Sequence, residues 1–253
     1  MSEQTITLED RGSHACITLN RPEAGNRLNP EMLDALQRIL RDCAGRFPVI
    51  ILTGAGASFC AGRDADETPA ASAQQKDGRI FARQGHQWIE TMEMIRKHPA
   101  VFIAMVNGAA LGDGVALINV CDLAIVDENA EIGTPDIARA EYPAVAGPTT
   151  QLRILRKHAS WLILTGKSID GKTAAKWGLV NAAVPGEQLA QETRDVAEGI
   201  AKFNPVTIDY SRKALDDIPA HLSDWTTALE YGRLITTVGQ NQIGKENFMP
   251  KKF

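Results

Sequence analysis

The stretch Val101–Val126, VFIAMVNGAALGDGVALINVCDLAIV, decides how the rest of the chain is read. Val101 to Val106 is an unbroken apolar run, and Leu123 to Val126 is another. Runs of this length without polar alternation suit strands covered on both faces. Between them, Asn107 to Gly114 reads as a glycine-broken turn, followed by a helix over about Val115 to Cys121. Gly112-Asp113-Gly114 lets the backbone approach a ligand closely, because glycine adds no Cβ and accepts positive φ. A helix that begins there turns free N–H groups and the positive end of its dipole toward whatever lies over the turn. That place suits a developing negative charge. A tight turn between core elements would look the same, so other features have to decide.

Toward the N-terminus, Thr5 to Glu9 and Ala15 to Leu19 read as short strands joined by the turn Asp10-Arg11-Gly12-Ser13. Asn29-Pro30-Glu31 opens a helix, with Asn29 as N-cap and Pro30 in the first position. Met32, Leu33, Leu36, Ile39 and Leu40 give it an apolar stripe at helical spacing. Val49 to Thr53 is a buried strand ended by Gly54-Ala55-Gly56, and Phe59 to Asp64 is a second strand-then-loop. Asp66 to Asp77 is poor in large apolar residues and reads as a mobile surface loop. Arg79 to His98 is helical and stops before Pro99. Beyond the central stretch come a short strand or turn at Ala130–Gly133 and a short segment from Pro135 through Arg139. Helices are predicted at Pro148–Leu155, Ala159–Leu164 and Gly171–Trp177, with a strand at Leu179–Val184. From Glu187 onward the pattern is helical, broken at Asn204-Pro205 and Pro219. The expectation is an α/β core over residues 1–187 and a helical region over 188–253.

Composition narrows the function classes. With 253 residues, 44% of them apolar and 23% charged, the chain can bury a sizeable core. A formal net charge of −4 gives no general attraction to nucleic acid or an anionic membrane. Asn107, the glycines, Asp113 and Asp122 interrupt the central stretch too often for a membrane span. Met1 to Asp10 has no apolar core of signal-peptide length. Cys16, Cys43, Cys60 and Cys121 are scattered, which fits buried thiols in a reducing compartment rather than zinc ligands or a disulfide frame. Cytoplasm is the expectation. Three motifs fail: Gly54-Ala55-Gly56 would need its third glycine at Phe59, Gly166-Lys167-Ser168 would need a glycine at Trp161, and Gly56 to Cys60 lacks the last glycine of a nucleophile elbow. The five histidines show no ligand spacing, so no metal is expected.

Two turns remain, Ala61-Gly62-Arg63-Asp64 and Gly112-Asp113-Gly114, each after a strand. Turns at the same ends of parallel strands can converge, and ligands bind outside those ends. Two backbone N–H groups aimed at one oxygen are what an enolate needs. Read with Asn20-Arg21-Pro22-Glu23-Ala24, Leu52-Thr53-Gly54, Phe59 to Asp64, Val106 to Gly112, Cys121-Asp122-Leu123, Leu164-Thr165-Gly166, Ala174-Ala175 and Gly178-Leu179-Val180, the chain resembles the crotonase superfamily, the enoyl-CoA hydratase/isomerase family. Phe248 to Phe253 is similar to that family's usual ending. The resemblance implies a spiral of ββα units with a C-terminal helical region that builds homotrimers or pairs of trimers. It implies an acyl-CoA thioester as substrate, with coenzyme A part of that substrate and no separate cofactor. The thioester carbonyl would sit between the N–H groups of Arg63 and Asp113, in the turns that contain Gly62, Asp64 and Gly112. The adenine end would lie near Ala24, Gly25 and Ala61. Arg27 reads either as a contact to CoA phosphate or as a surface charge.

Departures from the family pattern bear on the chemistry. Two glutamates usually stand over the reacting carbons; here the first position holds Ala116 and the second Asp136. The usual middle glycine is Asp113, whose amide can still donate and whose carboxylate is expected to cap the helix. Glu141 and Tyr142, one short turn past Asp136, read either as pocket residues or as surface loop. One acid suffices for a double-bond shift, so single-acid isomerisation or related enolate chemistry is expected, with Asp136 or Glu141 as the proton shuttle. Hydration, decarboxylation or C–C cleavage of an acyl-CoA, and a non-catalytic CoA-thioester binder, are the alternatives.

Overall fold

In the computed structural model, which describes residues 4–64, 78–221 and 224–248, the apolar runs of the sequence become the middle of a parallel sheet. That sheet has six strands in the order β1 (Ile6–Asp10), β2 (Ala15–Leu19), β3 (Val49–Gly54), β5 (Val101–Val106), β7 (Leu123–Asp127) and β9 (Ala182–Val184). Only the β1–β2 pair is antiparallel. β3 is buried along its whole length, as its non-alternating VIILTG sequence requires of a strand covered on both sides. A second, smaller sheet sets β6 (Ala109–Leu111) between β4 (Ser58–Cys60) and β8 (Ile132–Gly133), all parallel. Each of β3–β4, β5–β6 and β7–β8 sends one strand to each sheet before a helical segment follows. The expected α/β spiral of ββα units is therefore present.

β6 corrects the sequence reading, which took Asn107 to Gly114 as one turn. Ala109-Ala110-Leu111 is too short and too small to carry a periodicity. It is a strand because β4 and β8 flank it, with Cys60 opposite Ala110 and Leu111 opposite Gly133.

The N-terminus of α1 (Pro30–Cys43) forms as expected: the Asn29 side chain accepts from Met32 N at 2.9 Å. Met32, Leu33, Leu36 and Leu40 are its buried stripe. Gln37 and Thr91, bonded at 2.9 Å, join it to α2 (Gly78–Lys97). The loop expected over Asp66 to Asp77 lies outside the described residues. α3 runs Asp113–Val120, starting two residues before the expected Val115. α4 (Ala146–Gln151), α5 (Arg156–Thr165) and α6 (Gly171–Trp177) follow, α6 with the expected bounds and closed by Gly178.

The chain divides into two compact units, Met1–Glu198 and Gly199–Phe253, the division falling near the end of α7 (Gly186–Ala201). In the second unit α8 (Pro205–His221) packs on α9 (Trp225–Phe248), with Tyr210 donating to Gln242 at 3.1 Å and Tyr231 to Asp217.

Asn26 locks the segment that leads into α1. It is fully buried at φ +57°, accepts from Arg21 N, and donates to Ala55 O at 2.9 Å and Ser58 O at 2.7 Å. Asn26→Ala leaves those three groups unsatisfied and keeps a left-handed backbone that alanine disfavours. It is expected to cost at least about 2 kcal/mol of stability, since each orphaned buried group costs on the order of 1–3 kcal/mol. An unchanged denaturant midpoint would contradict this.

Candidate active site

The small sheet assembles the site. Its three strands run parallel, so their C-terminal ends lie together, and Arg63 follows β4, Asp113 follows β6 and Asp136 follows β8. The segment after β4 is fixed by a parallel bridge to Leu28: Leu28 N donates to Gly62 O at 2.8 Å, and Asp64 N donates to Leu28 O at 2.9 Å. That pattern turns the N–H of Arg63 to the opposite side, where it has no acceptor among the described residues. Gly62 has φ +102°, and a Cβ there would come within 3.1 Å of Leu111 O and 3.9 Å of Asp113 N. Only glycine allows the two turns to approach so closely. Asp113 is the first residue of α3, so its amide precedes the helix's own hydrogen bonds and also lacks an acceptor among the described residues. Two amides without an acceptor among the described residues thus stand at the ends of adjacent strands.

Asp136 sits in the 3-10 turn Pro135–Arg139. Its carboxylate oxygens would lie 3.8 and 3.9 Å from a Cβ on Gly112, whose φ of +51° again favours glycine. Arg139 donates to Oδ1 at 3.1 Å, while Oδ2 is buried with no hydrogen-bond partner among the described residues. A buried, unpaired carboxylate oxygen is costly in a stable fold, which singles Asp136 out as a candidate site residue.

The Asp113 carboxylate does not cap α3; its Oδ2 accepts from Arg63 Nε at 3.0 Å. An aspartate in the first helical position points its short side chain sideways, and Arg63 offers a charged donor there. Burial pushes the Asp113 carboxyl above the usual carboxylate range, against the pull of Arg63 and the nearby Trp88 indole N–H; Asp136 pushes it further up. Trp88 Nε1 is itself buried and outside hydrogen-bond geometry. A small cleft opens beside these groups, lined by Leu28, Asn29, Pro30 and Leu33, by Gln87 and Trp88 of α2, and by Arg63 and Asp113. Gln87 and Trp88 carry no signal in the sequence beyond the helical pattern of Arg79 to His98.

The raised pKa of Asp113 has a consequence for stability. A carboxyl that is more readily protonated in the fold than in the unfolded chain stabilises the fold fully below the unfolded value, 3.8, and loses that contribution as pH rises through the folded value. Asp113→Asn is therefore expected to gain stability relative to the unaltered protein between about pH 4 and neutrality. Melting curves that run parallel across that range would contradict it.

Other candidates are more dispersed. Gly25 and Ala61 meet, Ala61 N donating to Gly25 O at 2.9 Å, just after the 3-10 turn that ends at Ala24. Arg27 is exposed, with no side-chain partner among the described residues. Asp64 turns its carboxylate to Arg21 Nη1 at 3.1 Å and is buried. Glu141 is 63% exposed and paired with Arg139 at 3.4 Å. Tyr142 is exposed too, its hydroxyl accepting from Gln151. Ala116 is fully buried in the core. All four cysteines are buried and none is in a disulfide; burial lifts the Cys60 thiol to about 12, so it is no nucleophile. Among the described residues no cluster of three or more His, Cys, Asp or Glu is placed to hold a metal ion, and no helix is long and apolar enough to cross a membrane.

Two amides without acceptors among the described residues and a carboxylate at the ends of parallel strands make a candidate oxyanion site, and comparison with known proteins gives the family. The family model for enoyl-CoA hydratase/isomerase matches residues 9–232. A short-chain-enoyl-CoA hydratase of Clostridium acetobutylicum is 32% identical over 220 residues, 85% of this chain and 82% of the relative. A hydroxycinnamoyl-CoA hydratase-lyase of Pseudomonas fluorescens is 30% identical over 261 residues, 98% of this chain and 93% of the relative. The crystal structure of an enoyl-CoA hydratase from Bacillus anthracis superposes with a TM-score of 0.85 at 30% identity, covering 98% of both chains. The chain belongs to the enoyl-CoA hydratase/isomerase family of the crotonase superfamily.

Proposed function

We propose that the chain binds an enoyl-CoA thioester with its carbonyl oxygen between the amides of Arg63 and Asp113, and that Asp136 moves a proton at the substrate's α carbon. The observation that carries this reading is the buried, unpartnered Oδ2 of Asp136 beside two unpartnered amides. Loss of the α proton drives negative charge onto the thioester oxygen, and donors already fixed in place need no reorganisation to receive it. Oδ2 takes the proton, while Arg139 on Oδ1 holds the carboxylate in orientation. Coenzyme A enters as part of the substrate, along Ala24, Gly25 and Ala61, with Arg27 meeting a phosphate. Glu141 and Tyr142 have no role in this scheme.

Returning the proton to another carbon shifts the double bond, and one carrier is enough. Hydration needs a second group to handle a proton of water. Ala116 leaves the family's usual place for that group empty of acid, which supports the single-carrier reaction. The hydratase names of the relatives support hydration. The experiment is a panel of 3-hexenoyl-, crotonyl- and cinnamoyl-CoA incubated in deuterium oxide, with products read by mass. Deuterium at the α or γ carbon is expected; a panel without any incorporation or product would sink the proposal.

The second unit, we further propose, helps build a homotrimer or a pair of trimers. Trp225, Leu229, Leu234 and Val238 of α9 are exposed, as are Leu152, Leu155 and Leu164 in the first unit, more apolar surface than isolated helices need. Light scattering is expected to give at least a trimer at micromolar concentration. A stable monomer would count against it.

A further inference from the structure

We infer that the carboxyl of Asp113 is the second proton-transfer group of the site: it gives its proton to the hydroxyl leaving the β carbon in dehydration and takes one from water in hydration. The inference rests on the function proposed above and names the group that Ala116 does not supply. Four acids lie near the two amides in sequence or space, and one of them, Asp64, pairs its carboxylate with Arg21 at 3.1 Å. Asp136 is already assigned to the α carbon. Glu141 is exposed and held by Arg139 at the surface. Asp113 lines the cleft, and its side chain is only 14% exposed. Its Oδ2 is fixed by Arg63 Nε, leaving Oδ1 with no hydrogen bond from the described residues. One residue thus offers its amide to the thioester oxygen and a fixed, half-satisfied carboxyl to the cleft beside it.

The reaction balances through this pair. Asp136 takes the α proton of a 3-hydroxyacyl-CoA, and the C–H electron pair moves into the enolate held by the two amides. As the enolate collapses, that pair forms the α–β double bond, the β carbon–oxygen bond breaks, and Asp113 protonates the departing hydroxyl to give water. One proton then passes from Asp136 to Asp113 through solvent, and the enzyme returns to its starting state. Hydration is the same path reversed. Burial of Asp113 favours the protonated form that the dehydration direction needs. A neutral acid beside the enolate also avoids the repulsion that a second carboxylate would impose. Its negative charge develops only as the oxyanion is discharged, with Arg63 in contact to receive it.

Among the described residues, the charged and titratable groups that face Asp113 are Arg63 after β4, Asp136 after β8 and the Cys60 thiol, with the Trp88 N–H from α2. Arg63 is the one cation among them. Arg63→Met keeps the amide but removes the cation that favours the charged carboxylate, so the alkaline limb of dehydration should move to higher pH.

The test follows dehydration of 3-hydroxybutyryl-CoA, hydration of crotonyl-CoA and α-deuterium incorporation into 3-hexenoyl-CoA in the unaltered protein, Asp113→Asn, Asp113→Glu and Arg63→Met. Asp113→Asn is expected to lower hydration and dehydration on the order of 100-fold more than it lowers deuterium incorporation, the lower range for loss of an acid–base group. Asp113→Glu is expected to recover part of that loss. Hydration by Asp113→Asn within tenfold of the unaltered protein overturns the inference, as does equal loss of hydration and exchange. Should Asp113→Asn fail to fold, an unmoved alkaline limb in Arg63→Met overturns it. An unaltered protein that exchanges protons but hydrates nothing also overturns it and leaves the parent proposal standing; one that does neither removes the parent proposal itself.

Discussion

Asp136→Asn is expected to lower turnover by about two to four orders of magnitude, the range for removing a positioned acid–base group, while thioester binding survives. The carboxylate reaches the Gly112 turn because β8 ends beside β6 and Pro135 begins a tight 3-10 turn there. Arg139 occupies Oδ1 only, so the amide of asparagine keeps an acceptor for Arg139 and loses the proton-accepting oxygen. Binding to the two amides does not depend on the side chain, so the loss should fall on kcat rather than KM. Steady-state kinetics with calorimetry of CoA-thioester binding checks both halves. Full activity in the asparagine variant would place the proton transfer elsewhere.

Arg63→Pro should be as damaging, by about two to three orders of magnitude, the cost of one lost oxyanion donor. Proline removes the N–H, and here that N–H holds nothing inside the protein, because the Leu28 bridge uses Gly62 O and Asp64 N instead. The substitution therefore strikes the ligand contact and spares the ladder. Arg63→Ala keeps the amide but leaves Asp113 without its cation, and should cost on the order of tenfold, the size of one charge-assisted hydrogen bond. The guanidinium contact to Asp113 Oδ2 is what the alanine variant removes. Equal activity in the proline variant and the unaltered protein, with both folded by circular dichroism, would refute the role of the amide.

Much of this arrangement is written locally in the chain. The Asn29-Pro30 start of α1, the bounds of α6 and the buried β3, β5 and β7 follow from caps, glycine stops and apolar runs, which act over a few residues. The two turns were legible because each follows a strand and contains a glycine, and their convergence follows once the strands are parallel. β6 was not legible: three small residues become a strand only because neighbours on both sides supply hydrogen bonds. The Arg63–Asp113 pair was hidden for the same reason, since it joins residues from separate strand ends and depends on their register. Asp64 shows the converse. It stands in a turn that the family resemblance ties to the substrate, and its carboxylate turns to Arg21, far away in sequence. Asp136 was found through the family pattern, and its unpaired oxygen emerges only with the packing around Gly112.

The most direct test of the central claim is a crystal structure of the protein with crotonyl-CoA or acetoacetyl-CoA bound. The account predicts the thioester oxygen within about 3 Å of both Arg63 N and Asp113 N, the distance expected of an oxyanion donor pair, with the α carbon facing Asp136 Oδ2. A thioester oxygen bonded to neither amide, or an α carbon turned away from Asp136, would contradict it.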